Sequence, residues 1–117
     1  MNNPATVRRA ERAYAASSAA RSLRAQEAEI FARVIASLRL GARGSSADRV
    51  RALADASLLW SSVLDQVRDP ANQLPGRLRA IIASVAMTVQ REVALEQPNF
   101  DFLIEVNKNI AAGLADN

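Results

Sequence analysis

Apolar residues recur along this chain at helical spacing and nowhere in strict alternation, so the pattern predicts helices and no strands. Leu23, Ile30, Phe31, Val34, Ile35 and Leu38 make one stripe. Gly41 and Gly44, with Ser45 and Ser46, are expected to end that helix in a turn. Ser45 then reads as an N-cap, with Asp48 three residues on as an acidic form of the capping box. Val50, Leu53, Trp60, Leu64 and Val67 share the next face, which assigns Trp60 to the core; Leu58 falls well away from it and Leu59 flanks it. Asp69-Pro70 should stop this helix, because a residue before Pro avoids the helical region. Pro75 opens a third helix. There Leu78, Ile81, Ile82, Val85, Val89 and Val93 form a broad stripe, with Met87 on the far side. This is the helix expected to be most buried. Asn99, after Pro98, reads as the N-cap of a fourth helix, with Asp101 in its positive first turn. Phe100, Leu103, Ile104, Ile110 and Leu114 form its stripe. Asn107 shares that face, Phe102 points away, and Gly113 stands near the expected end.

Ahead of these elements lies an Ala/Ser-rich segment with its own stripe, Val7, Ala10 and Tyr14. At about 100° per residue this stripe lies nearly opposite the one that starts at Leu23. Either the helix breaks near Ser17–Ser22 or one long helix shows two faces to two neighbours. The break is favoured, with residues 1–20 as a weakly anchored arm. The fold class is therefore all-α, a small antiparallel helical bundle of four to five helices in a single domain over residues 1–117.

Composition narrows the chemistry. The chain has no Cys and no His, which removes disulfides, thiolate ligands, a Cys nucleophile and the commonest general base. Catalysis would need paired carboxylates or a Ser/Lys device. Asp65, Asp69, Glu92 and Glu96 are available but occupy solvated helix and loop positions, and no phosphate loop or metal-ligand spacing is present. No enzyme, cofactor or metal is expected. No apolar run approaches the roughly 20 residues that span a bilayer, and no apolar region follows Arg8 and Arg9 as in a signal peptide. The expected location is the cytoplasm, without membrane insertion. Charge divides unevenly: residues 1–51 carry ten Arg against four acids, a net +6, and residues 52–117 carry a net −3. Arg suits acidic protein surfaces or RNA; solvated helix faces account for the same pattern.

Order and spacing of the motifs add a resemblance. The run SLRAQEAEIF supplies Ser22, Arg24, Glu27 and Phe31; Leu59-Trp60 is followed by Leu64. Then come Asp69-Pro70, Asn72, Leu74-Pro75, and Leu78-Arg79-Ala80 with Ile82 and Ser84. Asn99-Phe100, Leu103-Ile104, Asn107, Ile110 and Gly113-Leu114 close the series. From Ser22 to Leu114 the chain resembles the flagellar biosynthesis regulator FlaF family of alphaproteobacteria. It departs from the family where a Trp often precedes the Val of the third helix, here Met87 or Thr88, and where a second Asp and Ile are here Glu105 and Val106.

The resemblance implies a cytoplasmic protein that supports flagellin production, binds flagellin before export as a chaperone, and works beside FlbT, which restrains flagellin translation. It leaves open whether FlbT touches this chain. A bound flagellin segment would be an amphipathic terminal helix laid in a groove. The candidate contacts are the apolar residues that the four stripes leave over: Leu58, Met87 and Phe102, with Phe31, Ile35 and Leu38 at the edge of the first core helix. Scattered exposed apolar residues are also ordinary. Asn107 could bond a bound segment or, as the simpler account, a loop carbonyl near Asn72 or Leu74. Glu27 is expected to pair with Arg24 or Arg79. The alternative function is RNA or FlbT binding through Arg8, Arg9, Arg12, Arg21, Arg24 and Arg33. Five aromatics and no RNA motif weigh against nucleic acid.

Overall fold

Capping and proline chemistry cut the chain into four helices: α1 (Pro4–Arg43), α2 (Ser46–Arg68), α3 (Gly76–Val93) and α4 (Phe100–Ala115). This computed structural model describes the backbone of residues 3–115 and the side-chain surroundings of residues 3–12 and 27–113. No strand occurs among the described residues. α1 packs on α2, α2 on α3, and α4 returns to lie against α1. The molecule measures 67 × 27 × 20 Å.

The start of α2 is fixed by a complete capping box. The Asp48 N–H donates to Ser45 Oγ at 3.2 Å, and the Ser45 N–H donates to Asp48 Oδ2 at 3.0 Å. Two otherwise unpaired donors are satisfied at once. Ser45→Ala should cost about 1 kcal/mol, lowering Tm by about 3–6 °C in a domain this size. Thermal denaturation beside a Ser46→Ala control checks this; equal melting of the two variants would dismiss the cap. α2 stops at Arg68, with Asp69 as C-cap. Asn99 caps α4 by accepting the Phe102 N–H at 3.0 Å. These boundaries follow the sequence.

The core gathers where α1, α2, α3 and α4 converge. Phe31, Val34 and Leu38 enter from α1; Ala52, Ala56 and Trp60 from α2; Ala86 and Val89 from α3; Phe100 and Leu103 from α4. Trp60 is fully buried, and its ring meets Phe31 edge-on, with centroids 6.0 Å apart at 84°. Burying each large side chain contributes roughly 1.5–3 kcal/mol. Asn107 is the buried polar residue in this core. It accepts the Trp60 indole N–H at 3.0 Å and donates to the Leu103 carbonyl at 2.7 Å. Its partner is therefore the core tryptophan, and the expected loop carbonyl near Asn72 or Leu74 is not used. Arg49 stacks over the Phe100 ring at 4.8 Å.

Several expectations are corrected. α1 has no break near Ser17–Ser22; its backbone is helical from Pro4 to Arg43. The side chains of Tyr14, Arg21, Leu23, Arg24 and Leu114 lie outside the described residues. Gly113 does not end α4, which runs on to Ala115. α3 is not the most buried helix: Ala86 and Val89 are its buried residues, while Leu78 and Ile81 are exposed. Val50 is exposed, because α2 presents Ala52, Ala56 and Trp60 to its neighbours. Phe102 does not point away from the body; it is half-buried against the core. Arg79 donates to the Asn72 carbonyl at 3.2 Å. The ion pairs among the described residues are Arg33–Glu29 and Lys108–Glu105, so a Glu27–Arg79 pair is absent there.

Candidate functional site

α1 and α2 are joined by a tight turn at Gly44-Ser45 and run alongside each other, leaving a groove between them on the outer face. Its volume is about 410 Å³. α1 contributes Ile30, Arg33 and Val34; α2 contributes Asp55, Leu58, Leu59 and Ser62. On α2 these fall at i, i+3, i+4 and i+7, the spacing of a single helix face. Val34 is buried and forms the floor, and Leu59 is half-buried. Ile30 and Leu58 stand on the two walls, 43% and 75% exposed. So large an exposure of Leu58 follows from its position on α2, nearly opposite Ala56 and Trp60 around the helix.

The polar rim carries both signs and is tied internally. Arg33 Nη2 donates to Glu29 Oε1 at 3.0 Å, and Ser37 Oγ donates to Asp55 Oδ2 at 2.8 Å. The Arg33–Glu29 pair is solvent-exposed and holds its side chains only weakly, whereas the part-buried Ser37–Asp55 bond ties α1 to α2. An apolar floor, two exposed aliphatic walls and a polar rim suit a helix anchored by its own i, i+3, i+4 and i+7 residues. A larger hollow, about 620 Å³, lies along Ala5, Arg8, Arg9, Glu11 and Arg12. All its lining comes from the first turns of one exposed helix, so it is open surface.

Of the residues expected to contact a partner, Phe31 and Leu38 are corrected. They are 3% and 0% exposed, committed to the core by their packing with Trp60 and its neighbours. Ile35 and Phe102 are half-buried. Leu58 and Met87 are exposed, but Met87 is on α3 and does not line the groove. Ile30 is the groove residue that sequence reasoning placed in the core; its position one residue before Phe31, at the edge of the stripe, was the available signal. Among the carboxylates weighed for catalysis, Asp69 accepts the Ala71 N–H and Glu92 accepts the Asn99 N–H. Both organise loops. Among the described residues no three His, Cys, Asp or Glu side chains cluster as metal ligands, and no helix there is long and apolar enough to cross a membrane.

These features define a small all-α module that displays apolar helix surfaces around a tightly closed core. Over residues 10–114 the chain matches the model of the family described as flagellar protein FlaF. It belongs to that family. No curated protein and no solved structure matches it.

Proposed function

We propose that this flagellar protein is a non-catalytic flagellin-binding chaperone that supports flagellin production in the cytoplasm. Its cargo is an amphipathic terminal segment of flagellin, held until export. The observation that carries the reading is the α1–α2 groove, with Ile30 and Leu58 exposed on facing walls. A segment that folds as it docks loses conformational freedom, so its affinity stays moderate for the area buried. Moderate affinity suits a cargo that must be released.

Isothermal titration with monomeric flagellin, intact and lacking each terminal segment, tests the proposal. Saturable binding lost with one terminus is the expected result. The double substitution Ile30→Asp with Leu58→Asp should weaken binding at least about tenfold, a loss of about 1.4 kcal/mol. Its Tm should stay near the parent value, because both side chains are exposed. Unchanged affinity would remove the groove from the interface. No binding of intact flagellin would turn the assignment toward FlbT or RNA, with exposed Arg8, Arg9 and Arg12 as the leading surface.

A further inference from the structure

Asp55 brings a charge into the α1–α2 groove that the chain does not neutralise. It lines the groove beside Leu58 and Leu59 and is half-buried. Its Oδ2 accepts the Ser37 hydroxyl at 2.8 Å, the one hydrogen bond its side chain makes among the described residues. It belongs to neither of the ion pairs found there. A carboxylate has about four acceptor sites, so solvent must satisfy the rest.

The other charged groups nearby differ. Arg33, the second charged residue of the lining, has a side chain 71% accessible and already pairs with Glu29. Its long stem lets the guanidinium stay in water when the groove is filled. Arg51, one turn before Asp55 on α2, is exposed and does not line the groove. Asp55 has a short side chain tied to Ser37 and cannot follow the solvent outward. A helix laid over Val34 and Leu58 therefore takes water away from Asp55. A carboxylate desolvated without a counter-charge is strongly destabilising, so the occupant has to bring a cation.

From this arrangement we infer that the groove selects an amphipathic helix with a Lys or Arg at the edge of its apolar face, placed to pair with Asp55. The inference rests on the groove being the cargo site and names the chemistry that site selects. Asp55 is three residues before Leu58, about 4.5 Å along the axis. The basic residue of the cargo thus stands within about one turn of the aliphatic anchor that meets Leu58. Of the α2 residues in the lining, Asp55 is the nearest to the Gly44-Ser45 turn, so the cation marks that end of the groove. Shape and apolar area accept many helices; this charge restricts which ones and in which register.

The test uses fluorescein-labelled helical peptides of about 18 residues with Leu at i, i+3, i+4 and i+7. One further position is Lys, Gln or Glu, placed in turn at either edge of the apolar face and at either end of the Leu set. Anisotropy titration of the full chain should find a register in which Lys binds at least about tenfold tighter than Gln, and Glu weaker than both. Asp55→Asn should abolish that preference. Its amide oxygen can still accept from Ser37, so its Tm should stay near the parent value. Asp55→Lys should reverse the preference toward Glu. With monomeric flagellin, Asp55→Asn should weaken binding at least about tenfold. No Lys preference in any register would overturn the inference, because Arg33 or Arg51 would then neutralise Asp55 from within. So would a preference that survives Asp55→Asn, or peptides that do not bind. Flagellin binding lost with Ile30→Asp, Leu58→Asp but kept with Asp55→Asn would overturn this inference and leave the groove reading standing. Unchanged flagellin affinity in both variants would overturn the two together.

Discussion

Trp60→Ala is expected to remove most of the stability of this chain. The side chain is fully buried, packs edge-on against Phe31, and donates its indole N–H to Asn107. Losing the ring volume costs about 3–5 kcal/mol. The Asn107 carbonyl oxygen then loses its donor inside the core, which adds about 1 kcal/mol or more. Small domains hold about 5–15 kcal/mol in total, so the variant should be largely unfolded at physiological temperature. Urea melts followed by circular dichroism measure this directly. Trp60→Phe separates the two contributions: it keeps much of the packing and drops only the donor, for a loss of about 1–3 kcal/mol. Near-parent stability of Trp60→Ala would mean that the core is organised elsewhere.

The second large effect is expected at Gly41. This residue is in the last turn of α1 and is buried. A Cβ placed there would stand 2.8 Å from Ala52 Cβ, 3.0 Å from Phe100 Cε1 and 3.1 Å from the Asp48 carbonyl oxygen. Ala52 Cβ and the Asp48 carbonyl are part of the α2 backbone or fixed directly to it, so relief requires helix movement. Gly41→Ala gains about 1 kcal/mol of helix propensity and loses about 1–3 kcal/mol to overpacking. The net effect should be destabilising. Gly41→Val should be worse, because its branches add to the same overlap. Ala52→Gly in the Gly41→Ala background should recover part of the loss, and a double-mutant cycle reads that coupling. Gly41→Ala that melts above the parent would show that α1 and α2 separate without cost.

Element boundaries were legible because the groups that set them are local. Ser45 with Asp48, Asp69-Pro70, and Asn99 act within a few residues of themselves, and each stands where the sequence placed it. Trp60 as core was legible from its stripe. Burial within each stripe was less so. Periodicity gives the direction of an apolar face, but the width that gets covered depends on which helices come to lie beside it. α3 illustrates this: its stripe is continuous from Leu78 to Val93, but its described neighbours fully cover only Ala86 and Val89. Large aliphatics dominate the apolar stripes, whereas Ala52, Ala56 and Ala86 are all fully buried without standing out in that pattern. Small residues mark where helix backbones come closest, and such contacts leave little trace in a hydrophobic pattern. The Trp60–Asn107 bond spans 47 residues, a distance at which sequence spacing carries no information. In the candidate site Leu58 was legible as a leftover residue. Ile30 was legible only as a position at the edge of its stripe, because its exposure depends on how far α2 reaches around α1.

The unbroken course of α1 has a mechanical consequence. Its 40 residues correspond to about 60 Å of helix, whereas the 23 residues of α2 cover only about 34 Å of it. Residues 3–12 are exposed throughout. No Pro or Gly occurs between Ala5 and Leu40, so the residue types that most often hinge a helix are missing. The element behaves as a rod clamped at one end, with Phe31, Val34 and Leu38 in the clamp. A load on the far end would reach those side chains as a torque, force multiplied by the length of the lever, so a grip on the first turns of α1 would work directly on the core.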